Sequence, residues 1–76
     1  MLTPMLDLVR HIQDTVARRT VTYRTPAGRL YVVHAIELRG YCADLEVIDS
    51  ETGAYSRFHQ MERPEVMTIY RNAGGR

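Results

Sequence analysis

Tyr23, Tyr31, Tyr41, Tyr55 and Tyr70 each stand within two residues of an arginine, namely Arg24, Arg29, Arg39, Arg57 and Arg71. Aromatic rings interleaved with guanidinium groups on a curved sheet stack bases and clamp phosphates, which is how small barrels hold single strands. The same tyrosines also suit an ordinary strand surface, with an apolar ring and a wet tip, and most of them are expected simply to cover the fold. Other chemistry finds less support. His11, His34 and His59 show no HxH, HxxxH or HExxH spacing, so no metal site is expected. Cys42 lies two residues from Asp44, but no base adjoins it in the sequence, and a lone cysteine usually acts as a small hydrophobe. There is no glycine-rich phosphate loop, and the acids are scattered as solvation requires. Neither catalysis nor a cofactor is expected.

The elements that must position these residues fall into two periods. Thr3-Pro4 reads as a helix start, because threonine can accept from first-turn N–H groups and proline at the first position loses nothing. The helix then runs from about residue 4 to Arg18. Met5, Val9, Ile12 and Val16 recur at spacings of four, three and four, and Leu8 widens that stripe. Arg18 and Arg19 sit where a helix C-terminus favours cations. From Thr20 the period becomes two and the residues β-branched or aromatic, which predicts strands near 20–25, 29–39, 41–49, 54–60 and 65–71.

Thr25-Pro26-Ala27-Gly28 is a tight turn and joins the first two strands as a hairpin. Gly40 marks a bend, and Asp49-Ser50-Glu51-Thr52-Gly53 a polar hairpin loop. Pro64 cannot donate to a ladder and belongs between the fourth and fifth strands, while residues 72–76 have nothing to bury and should fray as a flexible tail. Alternation puts Leu30, Val32, Ile36 and Leu38 on the core side of the second strand, with His34 as a core or barrel-end histidine. It puts Ala43, Leu45 and Val47 on the core side of the third. One helix and five short antiparallel strands are too little for a sandwich, so the expected fold is α+β, mainly β. That is an N-terminal helix capping a five-stranded SH3-like or Sm-like small barrel, one domain over residues 1–71.

With 76 residues the chain holds one core and no second domain, and a 45% apolar, 25% charged composition is that of an ordinary globular domain. All ten basic residues are arginine. A formal charge of +1 gives no reason to expect strong nonspecific nucleic-acid binding. Residues 1–40 nevertheless carry six arginines against Asp7, Asp14 and Glu37, whereas residues 41–76 carry four against six acids, so one face could be basic. A single cysteine without a disulfide partner points to a reducing cytoplasm. No run reaches the roughly 18 apolar residues of a membrane span, and Asp7 interrupts what a signal peptide would continue, so neither membrane nor export is expected.

The run from Leu8 to about Met67 resembles the WYL domain, an Sm-like barrel of bacterial and phage regulators and defence-associated proteins. The resemblance rests on Arg18-Arg19-Thr20-Val21-Thr22-Tyr23 and on Pro26-Ala27-Gly28-Arg29. It continues through Ala43 to Asp49 and Gly53 to Arg57-Phe58, with Arg63 after it. Of the name-giving Trp-Tyr-Leu only Leu45 matches, and Arg63 falls one position late. The resemblance implies ligand sensing, with Arg29, Arg57 and Arg63 as binding arginines and Tyr23 and Phe58 as packing residues. From the interleaved tyrosines, Tyr31 and Tyr55 are the stacking candidates beside those arginines. The helix-turn-helix usually attached to such domains is missing, so sequence-specific duplex binding is not expected.

Two functions follow. One is a non-catalytic regulatory module that engages single-stranded nucleic acid or a nucleotide. The other is a small phage-type accessory or inhibitor protein that docks on a larger protein and self-associates as a homodimer or higher oligomer, because open edge strands and a small core both favour partners.

Overall fold

The chain from Thr20 to Met61 does become strands, and the computed structural model, which describes residues 3–76, shows how many. The order is α1 (Met5–Arg18), β1 (Thr22–Arg24), β2 (Leu30–Arg39), β3 (Cys42–Asp49), β4 (Tyr55–Met61) and α2 (Arg63–Asn72). The strands form one antiparallel sheet in the order β1-β2-β3-β4. The fold is α+β and mainly β as expected, but the described residues form four strands in an open sheet, without the expected fifth strand or closed barrel.

In place of the strand expected at 65–71 the chain forms helix α2. Glu62 caps it: its side chain accepts from the backbone of Glu65, whose own carboxylate accepts from the Glu62 N–H at 2.8 Å. This capping box satisfies donors that a first turn leaves free, and Pro64 in that turn starts the helix. Val66, Ile69 and Ala73 then make a buried stripe at helical spacing, flanked by Met67 and Tyr70. Without a fifth strand, β1 and β4 remain the two edges of an open sheet. Ala73 is buried, so the segment expected to have nothing to bury contributes to the core.

At the other end, Pro4 itself is the cap of α1 and its carbonyl accepts from the Asp7 and Leu8 N–H groups; the Thr3 side chain makes no capping bond. Leu8, Val9 and Ile12 are fully buried with Thr15 beside them, while Met5 and Val16 pack at the rim. The centre of the apolar stripe is therefore one position off the one read from spacing. Both helices lie against the same face of the sheet. Gly28, at φ +90°, closes the turn after Pro26 by donating to the Thr25 carbonyl, and Gly40, at φ +59°, serves a tight β2–β3 hairpin and not merely a bend.

A second correction falls inside β2. The register slips between Val33 and Ala35, and His34 is the extra residue. A bulge of this kind shifts every later side chain to the opposite face. Tyr31, Val33, Ile36 and Leu38 thus point at the core, whereas Leu30 and Val32 join Ala35, Glu37 and Arg39 on the outer face. His34 is exposed, not a core histidine. In β3 the expected side holds, with Ala43, Leu45 and Val47 fully buried.

Candidate functional site

The face of the sheet turned away from both helices carries a cross-strand row of Thr22, Val32, Ile48 and Tyr55, one from each strand in direct register. Leu30 extends it along β2. Leu30, Val32 and Ile48 are half-buried by their neighbours, and Tyr55 is 56% exposed. Apolar residues enter this row because β-branched and aromatic side chains suit a pleated surface, and only the bulge at His34 turns Leu30 and Val32 toward it.

Beyond the row the face becomes polar. Ala35, Glu46 and Arg57 lie side by side, and the Tyr55 hydroxyl donates to Glu46, which raises the phenol above its ordinary range. Arg57 is exposed and in register with Glu46.

At the far end Asp44 is only 5% exposed. One of its oxygens accepts from Arg39 Nε at 2.8 Å and the other from the Gln60 backbone N–H at 3.1 Å. The Gln60 bond, with help from Arg39, His59 and Arg57, holds this carboxyl below its ordinary range against the opposing effect of burial. His59 Nδ1 stands 3.7 Å from Asp44, too far for a hydrogen bond, so the carboxylate is engaged by Arg39 and Gln60 and does not orient the imidazole. Arg39, Cys42, Asp44, His59 and Gln60 line one open cleft of about 370 Å³. On this face Arg39 pairs with Asp44 and stands 3.8 Å from Glu37, Arg57 is in register with Glu46, and Arg24 donates to the Gly28 carbonyl at 2.8 Å, so three arginines share the face with three carboxylates.

The five residues expected to bind nucleic acid do not converge. Arg29 is held by the buried carboxylate of Asp49, with Nε and Nη2 both 2.5 Å from Oδ2, and that bond raises its affinity for the proton. Tyr31 is on the core face, its ring edge-on to Phe58 at 5.4 Å. Arg63 opens α2 and is half-buried. Tyr55 and Arg57 alone share the outer face. Tyr23 is buried and packs edge-on against Phe58 at 5.9 Å, in the packing role the resemblance gave both.

The burial of Asp44 and Asp49, and the approach of Arg39 and His59 to Asp44, were not expected from the sequence. Asp49 had a legible signal, since an aspartate two and three residues before Glu51 and Thr52 can accept from both their N–H groups, as it does at 2.8 and 3.1 Å. The approach of His59 to Asp44 had none, because it depends on the β3–β4 register. Among the described residues, no group of three His, Cys, Asp or Glu side chains is placed to hold a metal ion, and no helix is long and apolar enough to cross a membrane.

Comparison of the chain with family models, with curated proteins and with solved structures finds no match in any of the three.

Proposed function

We propose that the chain is a non-catalytic docking module whose outer sheet face takes a protein partner presenting an apolar surface ringed by charges of both signs. The observation that supports this reading is the uncovered row Leu30, Val32, Ile48 and Tyr55, bordered by balanced arginines and carboxylates. Interface centres are apolar and aromatic with charges at the rim, whereas a phosphate-binding surface needs excess positive charge. Single-stranded nucleic acid or a nucleotide is the second reading. It draws on exposed Tyr55 beside exposed Arg57, but Glu46 between them repels phosphate.

Val32→Arg decides between them, because Val32 lies outside the core and the variant should keep its fold. On the docking reading, the wild-type chain retains a partner through nuclease treatment and Val32→Arg loses it. On the nucleic-acid reading, the chain binds short single strands with a log–log salt slope of roughly −0.7 per phosphate contact, and Arg57→Ala flattens that slope. Partner capture that Val32→Arg leaves unchanged would overturn the docking proposal.

A further inference from the structure

The two edges of the sheet are finished differently. β1 is three residues long, and α2 lies along it, with Asn72 Nδ2 donating to the Thr22 carbonyl at 2.9 Å. β4 is seven residues long and, among the described residues, pairs only with β3. Among the described residues, the Gln60 N–H bonded to Asp44 is the one β4 backbone group that a side chain engages. An edge of this length is a template for a further strand.

The groups on that edge can be identified. The Asp49 N–H donates to the Ala54 carbonyl, so these residues form a hydrogen-bonded pair. In an antiparallel ladder such pairs alternate, which makes Val47 with Ser56 and Leu45 with Phe58 the next two. Tyr55 and Arg57 therefore direct their N–H and C=O groups away from β3, and their side chains stand on the outer face; past Phe58 the β3–β4 register shifts and the alternation ends.

We propose that two copies of this chain associate through β4, antiparallel and centred on Ser56, so that two four-stranded sheets become one of eight. The register follows from charge and geometry. Centring on Arg57 would set two guanidinium groups face to face, which is destabilising. Centring on Phe58 would set Tyr55 against Met61, beyond Gln60, whose φ of +56° and bond to Asp44 interrupt the strand.

Centring on Ser56 places each Tyr55 opposite the second copy's Arg57, twice by symmetry. Each such pair exchanges two backbone hydrogen bonds and lays a guanidinium against a phenol ring. That ring is already fixed by its bond to Glu46, whose carboxylate also offers the incoming arginine a counter-charge. At the axis two Ser56 side chains meet, small and half-buried, on the core side. The exposed part of Phe58 comes to lie over the second copy's Ala54. The surface is self-complementary, as a two-fold interface requires. The interface shares Tyr55 with the outer-face row but leaves Leu30, Val32 and Ile48 uncovered, so it is separable from the docking reading at Val32.

The test is light scattering and sedimentation over a concentration series, with two variants. Arg57→Pro removes a free N–H without touching the β3–β4 ladder, and an edge strand tolerates proline with that N–H outward. The parent should pass from monomer to dimer as concentration rises, and Arg57→Pro should raise the dissociation constant by about tenfold or more, with the far-UV circular dichroism unchanged. In a Cys42→Ser background, Ser56→Cys places two thiols at a close non-hydrogen-bonded pair, with Cα atoms about 4.5 Å apart, and should cross-link rapidly under mild oxidation. Arg24→Cys, on the other edge, should not. A parent that stays monomeric at several hundred micromolar, a dimer indifferent to Arg57→Pro, or cross-linking as fast at position 24 as at 56 would each overturn the proposal. Val32→Arg should leave the dimer intact, so failure of the docking reading and failure of this one are distinguishable.

Discussion

Replacing Ile69 by alanine tests the packing of α2, the element that replaces the fifth strand. Ile69 has no exposed surface and stands three residues after Val66, also fully buried. Two positions three apart share one side of a helix but face opposite sides of a strand. The substitution removes three carbon atoms, worth about 2.4 kcal/mol at ~0.8 kcal/mol per buried methylene, before any cavity is counted. Buried Ile→Ala changes span about 2–5 kcal/mol, and a site between a short helix and the sheet, able to collapse in part, should fall near ~3 kcal/mol.

A domain of this size has a total stability of roughly 4–11 kcal/mol, so that loss is a large fraction of it. At about 4–8 °C per kcal/mol, the melting temperature should fall by about 12–24 °C. Val66→Ala should shift it in the same direction. Thr68 is exposed, its hydroxyl donating only to the Pro64 carbonyl at 3.2 Å, and Thr68→Ala should stay within about 0.5 kcal/mol of the parent. Thermal and urea denaturation followed by circular dichroism measure all three. An Ile69→Ala protein that melts within about 4 °C of the parent, or a Thr68→Ala protein as impaired as Ile69→Ala, would refute a packed helix at this position.

Acid should weaken the fold through Asp49. The N–H groups of Glu51 and Thr52, together with Arg29, hold its folded carboxyl below the ordinary 3.8, with burial opposing them, so the unfolded chain takes up the proton first. That stability is present above about pH 4 and lost as pH falls through the folded value. Asp49→Asn should flatten the acid limb of a stability–pH curve, and an unchanged limb would count against the role. Arg29→Ala should lower the melting temperature, because it leaves the buried Asp49 carboxylate without its guanidinium partner, and should leave any ligand binding unchanged; the opposite pattern would return Arg29 to the binding surface. Ala73→Asp should undock α2 or unfold the chain, since burying an unpaired carboxylate costs several kcal/mol, and a stable variant would show that the segment after Asn72 is free of the core.

Local periodicity and backbone preference were enough to place α1 to within a residue, four strands to within one or two at each end, and the tight turn at Gly28. Helix α2 was equally local, with Glu62, Pro64 and Glu65 in place and a Val66, Ile69, Ala73 spacing, but Val66, Thr68 and Ile69 are β-branched and read as strand. Propensity there was overruled by capping and by apolar surface shared with α1 and β1. The bulge at His34 was not legible, since an extra residue in β2 is defined only against β3, and it alone decides that Leu30 and Val32 face outward. The candidate site inherits that dependence. Asp44 meets Arg39 and His59, and Tyr55 meets Glu46, through pairings between strands, and a chain read in one dimension carries no record of register. Arg29 shows the same limit from the other side: its type suited a phosphate, and tertiary structure gave it to Asp49.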